Sequence, residues 1–405
     1  MYLNRMNTIK VKDLPPYVNK TVSKSQSLYI IYNLNESFGG MTYLDANFNE
    51  RIYRCAITTA EENEKLLCIA PSKSLDKYEY FSHFENSAFK VEDTIEGTMI
   101  NLFWDERINS WEISTKKSIG GNYFYFRNQY QTEGQFSEQK SFKQMFLEAF
   151  DQKVAELSEL SLLNYLDKTC CYTFVLQHPL NHIVLNITTP AVYLVHMYKF
   201  EGDHKYKYIS DCGELKNEFL NAGVKFPRRY DIDNIGSTKE QLENTYAHIT
   251  NISETAADTP GFMITELNGG FRTVIYNLKY HKLKVLRGNN PNLFYHYLEL
   301  RKSYEVGEFL NNFPQYGHLF IQFQNNFYSF VSKIYRLYVD LHITKKITLK
   351  DIDNKQEKFF VEKLHYDVYL PSLKEGNKVK ISPKVVESFL DRKEYMMPIK
   401  YRASP

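Results

Sequence analysis

The sequence predicts an α+β protein: an antiparallel-sheet domain over residues 1–288, followed by an all-helical domain over 289–405. Three observations carry this. Short apolar runs rich in β-branched and aromatic residues come in pairs across turn sequences through the first part of the chain. One stretch there, starting at Ser141, switches to helical spacing. After Pro291 the β character stops, and LFYHYLELRKSYEVGEFLNNF, HLFIQFQNNFYSFVSKIYRLYVDLHITK and PKVVESFLDRK read as helices.

Residues 1–40 hold a Pro15-Pro16 break, the strand-like SLYIIYNLN and the turn Gly39-Gly40. Next, RIYRCAITT and KLLCIAP flank an acidic turn, Glu61–Glu64, as a hairpin does; Pro71 closes the second run and Lys73 sits in a small-residue turn. The stretch Phe89–Phe126 is a further hairpin, with the turn at Asp105–Ser110 and a polar site at its edge around Thr94-Ile95-Glu96-Gly97-Thr98. Phe142, Met145, Phe146, Ala149 and Phe150 then recur at helical spacing behind a serine, which predicts an amphipathic helix running toward Leu163. Residues 170–200 read as two central strands separated by turns at Pro179–Asn181 and Thr189-Pro190. Residues 201–255 look like an insertion with a charged helix near Lys239–Tyr246. A hairpin follows, Gly261–Glu266 and Phe271–Tyr276 about the turn Asn268-Gly269-Gly270, and it leads into a basic segment.

Composition bounds the function. Hydrophobic content of 43% and charged content of 24% are those of a globular protein, while 32 Tyr and 28 Phe give a high aromatic share of 15%. Tyrosine with lysine suits stacking on bases and pairing with phosphates, and an aromatic-rich core gives the same count. A net charge of +2 excludes a globally basic, nucleic-acid-coating protein, so any such surface is local. Five cysteines form no CxxC pair, which disfavours a zinc knuckle and fits a reducing compartment. No run approaches the roughly 20 apolar residues of a membrane span, and MYLNRMNTIKVKDLPP has no signal-like apolar core, so a cytoplasmic protein is expected.

Several segments, taken in order, resemble the phage-type RNA ligase family of lysine-adenylylating nucleotidyltransferases, in the divergent branch found in large DNA viruses of eukaryotes. Thr94–Ile100 resembles the family's motif I, Lys-x-Asp/Glu-Gly-Ser/Thr, and Ala70–Ser74 the segment upstream of it. Tyr172–Val184 resembles motif III with its Pro-x-Asn-x-Ile-Val ending, Pro260–Met263 stands where motif IV belongs, and Arg272–Tyr280 resembles motif V. The resemblance covers most of residues 40–300. It implies an ATP-grasp-like nucleotidyltransferase domain, ATP as the nucleotide, Mg²⁺ for the reaction, and RNA ends or nicks as partners. By carry-over it implies nucleotide contacts from Thr94, Glu96, Gly97, Lys116, Phe174, Gly261, Arg272 and Lys279.

The chemistry requires an amine that attacks the α-phosphate of ATP, and a free lysine near pKa 10.4 is protonated and inert unless its surroundings lower that value. At the motif I lysine position this chain has Thr94. Lys90 shares its strand parity but lies about 13 Å away along an extended strand, so Lys73 is the candidate nucleophile. The departures continue. Val175 stands where motif III has an acid, Pro260 where motif IV has a metal-binding glutamate, and Val274 where motif V has a lysine. Asp258, Glu266, Arg272 and Lys279 are the nearby charges that would compensate. No metal ligand set is assigned, and His178 and His182 read as surface or hydrogen-bonded histidines. Lys282, Lys284, Arg287, Arg301 and Lys302 form a basic stripe that would contact RNA phosphates.

Two functions follow from the resemblance: an RNA ligase-like protein that binds a nucleotide and RNA ends, with joining through lysyl-AMP as the ancestral activity, or a non-catalytic RNA-binding or scaffold descendant in a viral complex. Guanylyl transfer uses the same lysine chemistry and suffers from the same replacements.

Overall fold

The computed structural model describes residues 7–8, 18–34, 54–84, 87–123, 140–151, 153–181, 183–203, 205–230, 259–288, 290 and 292–396. Pro15-Pro16, Gly39-Gly40, the Lys239–Tyr246 helix, His182 and Asp258 lie outside the described residues. The described chain divides into two compact units, the first running to Val285 and the second starting at Leu286.

Strands dominate the first unit. In chain order they are β1 (Asn7–Thr8), β2 (Val18–Lys24), β3 (Leu28–Leu34), β4 (Ala56–Thr59), β5 (Leu66–Ile69), β6 (Phe89–Asp93), β7 (Thr98–Asp105), β8 (Ser110–Ser114), β9 (Cys170–Gln177), β10 (Ala191–Phe200), β11 (Lys205–Tyr208), β12 (Arg229–Tyr230), β13 (Gly261–Glu266) and β14 (Arg272–Tyr276). They form three sheets ordered β1-β11-β10-β9-β7-β8, β12-β6-β13-β14 and β2-β3-β4-β5. The hairpins read from the sequence are present: β4 pairs β5, β7 pairs β8 and β13 pairs β14, all antiparallel. The fold class is the α+β class expected.

Side-chain alternation sorts each strand into two faces. On the six-stranded sheet, Ile100, Leu102, Tyr172, Phe174 and Leu176 pack against Phe142, Met145 and Phe146 of a covering helix. The opposite face meets the β2–β5 sheet through Phe103, Cys171 and Tyr198, against Tyr29, Ile31, Ile57 and Ile69. Val91, Phe262, Ile264 and Ile275 pack the β6-β13-β14 sheet on Leu75, Tyr80 and Phe81, the last two from helix α1 (Lys77–Phe84). Fully burying one such side chain is worth about 1.5–3 kcal/mol. The remaining inward faces of β9, β10, β13 and β14 bound the cleft described below.

The covering helix α2 is shorter than its apolar spacing implies. Ser141 caps it in a reciprocal capping box with Gln144, and it spans Phe142–Glu148. Asp151 then accepts the Lys153 backbone N–H at 2.9 Å, a local turn that competes with helix continuation. The apolar residues beyond, Leu157 and Leu162, are buried from two short 3₁₀ turns at Leu157–Glu159 and Ser161–Asn164. Helix α3 (Leu215–Asn221) lies in the predicted insertion, and α4 (Leu278–Arg287) is the basic segment after β14.

The described residues of the second unit contain no strand. Helices α5 (Leu293–Lys302), α6 (Val306–Asn312), α7 (Gly317–Tyr338), α8 (Lys355–Leu364), α9 (Leu370–Lys374), α10 (Pro383–Leu390) and α11 (Lys393–Met396) bury Phe294, Phe309, Phe320, Phe323, Phe327, Phe360 and Phe389. Both α7 and α8 run on into π-helical turns, Val339–Ile343 and His365–Tyr369.

Candidate nucleotide cleft

A cleft of about 690 Å³ opens between two sheets of the first unit. From one side β7, β9 and β10 present Met99, Thr173, Val175 and His196; from the other β6, β13 and β14 present Glu92, Met263, Thr265, Arg272, Val274 and Tyr276. Arg54, Lys73, Lys77 and Lys284 also line it. A second cavity of about 1100 Å³ shares Asp93, Thr94 and Ile95 with the first and continues past Glu96, Tyr193, Lys225, Phe226, Arg228 and Pro260. The Thr94 segment therefore lines both.

Two glycines make this geometry. A Cβ on Gly97 would stand 2.3 Å from the carbonyl oxygen of Leu176, and one on Gly261 would stand 2.2 Å from that of Ile275. Each lets its chain approach a neighbouring strand closer than any other residue permits. Between them, the Thr94 backbone N–H donates to the Gly261 carbonyl at 2.8 Å.

Glu96 is 5% exposed and directs its carboxylate inward. It accepts the backbone N–H groups of Ile183, Val184 and Leu185, the nearest at 2.7 Å, and the Tyr280 hydroxyl at 2.7 Å. Its capacity is thus committed to holding the chain after motif III and the start of α4, so the carried-over nucleotide contact is replaced by a positioning role. Thr94 behaves in the opposite way. Its hydroxyl is buried and has no hydrogen-bond partner among the described residues.

Arg272 is the cleft's central cation. Its Nε donates to the Ser72 carbonyl at 3.0 Å, and no ion pair holds it among the described residues. Burial, followed by the like charge of Arg54, pushes its pKa down. An anion in the cleft would relieve both effects. His196, stacked on Tyr208 with centroids 4.4 Å apart, adds no charge, because burial and then Arg272 and Lys90 push its pKa well below the usual imidazole range. Lys90 is paired with Glu92 at 2.9 Å, which removes it as a stand-in nucleophile. Lys73 lines the same cleft as Thr94 and is exposed.

The carboxylates lining the cleft are each engaged through one oxygen. Glu92 is held by Lys90, Asp93 accepts the Tyr230 hydroxyl at 2.8 Å, and Asp76 accepts the Tyr78 N–H at 2.8 Å. Burial pushes the Asp93 carboxyl above its ordinary range, against the opposing effects of Tyr230 and Arg228. Glu266 caps its own turn by accepting the N–H groups of Asn268 and Gly269, both at 2.6 Å. Among the described residues no group of three His, Cys, Asp or Glu side chains is placed to hold a metal ion. Glu92, Asp93 and Asp76 each keep a second carboxylate oxygen without a partner among the described residues, a donor type that suits a divalent cation carried on phosphate.

Other expected residues fall elsewhere. Phe174 is fully buried on the helix-covered face of β9, against Phe146 and Phe219, because its parity is opposite to that of Thr173 and Val175. Aromatics on the cavity side are Tyr193 of β10, with Lys225 over its ring, and Phe226; sequence reading missed both, since only the fold brings them to that wall. Lys116 and Lys279 are absent from the lining of either cavity. His178 is buried, accepts the Leu180 N–H on Nδ1 and lies 3.4 Å from Glu148 through Nε2, the hydrogen-bonded role expected. The basic stripe breaks up. Arg287 is 2% exposed, donates to the Tyr316 hydroxyl and packs on that ring. Arg301 is clamped by Glu387 and Asp391 over the Phe327 ring. Lys282, Lys284 and Lys302 stay exposed. The five cysteines are free, and no described helix is long and apolar enough to cross a membrane.

No family model matches the chain. Over 136 residues it is 26% identical to an RNA ligase of Rhodothermus phage RM378, a match covering 34% of this chain and 29% of that protein. The chain thus spans less than a third of the relative it matches. Among solved structures, a mutant Naegleria gruberi RNA ligase with ATP and Mn aligns at 11% identity over 51% of this chain and 54% of that one, with a TM-score of 0.35. A second mutant of that ligase, also with ATP and Mn, aligns at 11% identity over 53% and 58%, with a TM-score of 0.36. The sequence match supports a relationship between this chain and the RNA ligases.

Proposed function

We propose that this chain is an RNA ligase-like protein that binds a nucleotide and RNA ends, with strand joining through a protein-AMP intermediate as the chemistry of its ancestry. The observation that carries the binding half is Arg272, an inward guanidinium without a carboxylate partner among the described residues, beside Arg54 and Lys73 in a cleft of about 690 Å³. That arrangement suits a polyphosphate. The adjoining cavity, with Tyr193 and Phe226 in its walls, suits a nucleoside. The motif resemblance supplies the expectation that the anion is ATP, and the phage RNA ligase match the expectation that RNA is the partner.

The cleft favours binding over transfer. Thr94 offers a hydroxyl where the attacking amine would stand, and Val175 and Val274 face the cleft where charges would act. Losing single participants in such a site typically reduces rate by orders of magnitude. The reading therefore leans toward a non-catalytic nucleotide and RNA binder, and a viral nucleic-acid complex in the cytoplasm is the setting proposed for it. One observation favours a second reading, a rebuilt ligase: Lys73 lines the same cleft as Thr94.

Incubation with α-phosphate-labelled ATP, and separately GTP, in Mg²⁺ or Mn²⁺, followed by a denaturing gel, decides between them. The binder reading predicts no retained label. Label that survives denaturation and disappears in Lys73→Ala would establish the rebuilt enzyme. Label that persists in Lys73→Ala would mean a different nucleophile.

A further inference from the structure

Residues 224–230 read VKFPRRY, with basic and aromatic side chains interleaved. Backbone hydrogen bonds fix this strip against the sheets on either side. The Lys225 N–H donates to the Val192 carbonyl at 2.8 Å, the Lys225 carbonyl accepts the Leu194 N–H at 2.9 Å, and the Arg228 carbonyl accepts the Asp93 N–H at 2.9 Å. So held, the strip lines the second cavity with Lys225, Phe226 and Arg228 and the nucleotide cleft with Pro227. Each cation here lies over a ring: Lys225 over Tyr193 at 5.8 Å, Lys216 over Phe226 at 5.8 Å and Arg228 over Tyr230 at 5.2 Å. The three cations are exposed and the three rings half-buried. An exposed cation–π contact is weaker than a base stacked on the same ring, and a long flexible side chain leaves its ring for a phosphate at little cost. Ring faces and positive charge therefore alternate along one wall. The carboxylates of the same lining, Asp93 and Glu96, flank Thr94 and are bonded to the Tyr230 and Tyr280 hydroxyls respectively. At about 1100 Å³ the cavity exceeds the roughly 300–1,000 Å³ of a single small-molecule site, which favours an extended ligand.

We propose that this wall is a track for single-stranded RNA, in which Tyr193 and Phe226 stack on bases, Lys216, Lys225 and Arg228 take the phosphates between them, and the strand's end is led to Thr94, where the two cavities meet. The nucleoside that the second cavity suits is then one of an RNA strand. This rests on the RNA half of the function proposed above and is independent of the nucleotide half. A duplex fits the wall poorly, because its bases are already stacked on one another and present no face to a ring.

Fluorescence anisotropy of the full chain with a labelled single-stranded RNA of about ten nucleotides, over a range of salt, tests it. Lys225→Gln is expected to weaken binding and to lower the slope of log affinity against log salt by about 0.7, the share of one phosphate contact on a single strand. Lys207→Gln is the control, an exposed lysine of β11 outside the lining of both cavities, and is expected to match the wild type. Tyr193→Leu is expected to weaken binding about five- to hundredfold with the salt slope unchanged, and Tyr193→Phe, which keeps the ring, to restore it. Should Tyr193→Leu fail to fold by circular dichroism, the exposed Lys225 carries the test. Wild-type affinity in Lys225→Gln, or an equal loss in Lys207→Gln, would overturn the track and leave RNA binding intact. Duplex RNA binding as tightly as the single strand, or polyglutamate displacing the RNA as well as unlabelled RNA does, would also overturn it, the latter by pointing to an acidic protein partner. No RNA binding by the wild type would overturn the RNA reading itself.

Discussion

The Tyr280 hydroxyl donates to the Glu96 carboxylate at 2.7 Å, joining two segments 184 residues apart in sequence. With the N–H groups of Ile183, Val184 and Leu185 on the same carboxylate, the pair ties the chain after β9 to the start of α4. Glu96→Ala leaves those donors buried and unsatisfied and is expected to lower stability by about 3–5 kcal/mol. Tyr280→Phe removes one of them and is expected to cost about 2 kcal/mol. Urea unfolding of both variants checks the ranking; equal effects would contradict it.

Thr94→Val tests an orphan group. The Thr94 hydroxyl is buried without a partner among the described residues, so an apolar isostere is expected to leave stability unchanged or to raise it by up to about 1 kcal/mol. If the hydroxyl meets nucleotide, the same change weakens ATP binding about three- to tenfold. Melting and affinity measured on one preparation separate the two effects, and a loss of stability would show that the hydroxyl has an internal role.

Gly97→Ala and Gly261→Ala each drive a methyl group toward a backbone carbonyl, of Leu176 and Ile275 respectively. Backbone cannot rotate away as a side chain can, and each substitution is expected to cost about 1–3 kcal/mol or more. Ala at Gly307, where a Cβ meets nothing within 4 Å and φ is not positive, is the control for added bulk. Thermal melts showing all three alike would remove the close-approach argument.

In the second unit the rings of His342 and His365 stack at 3.9 Å with 3° between planes, and Tyr338 meets His365 Nδ1 at 3.2 Å. Burial pushes both imidazoles below their usual value, and for His342 the neighbouring His365 adds to the shift. The unfolded chain then binds protons that the folded one resists as pH falls below about 6.5, so stability is full above that value and is lost toward acid. His342→Phe keeps the stack and is expected to flatten the dependence. Denaturation midpoints measured between neutral and mildly acid pH, with wild type showing no fall, would contradict this.

Arg301→Met is expected to act on stability. It strands Glu387 and Asp391 and is expected to cost about 3 kcal/mol, while RNA binding at matched folded concentration is unchanged. Lys284→Ala, at an exposed residue of the cleft lining, is expected to do the reverse. Filter binding at two salt concentrations distinguishes them.

The hairpins were legible because their signals are local: period-two apolar runs around turn residues survive in β4–β5, β7–β8 and β13–β14. Thr94, Gly97, Arg272 and Lys73, named from strand parity or chain order, line one cleft, and Gly261 bonds the Thr94 backbone beside it. Failures came where tertiary partners decide. Phe174 has the chemistry of a base-stacking residue but lies on the covered face of its strand, and Arg287 and Arg301 have the charge of phosphate contacts but point into helical packing. Glu96 matched a motif position, yet its four donors come from segments that only folding brings together. Helix α2 ends at Glu148, and the Asp151 side-chain turn that follows it is a feature apolar periodicity does not register.

Equilibrium dialysis of ATP against wild type and Arg272→Gln, each checked for an unchanged melting temperature, tests the cleft most directly. Saturable binding to the wild type and affinity at least about tenfold weaker in Arg272→Gln is the predicted result. No saturable binding to the wild type, or equal affinity for the two proteins, would contradict the assignment of this cleft as the nucleotide site.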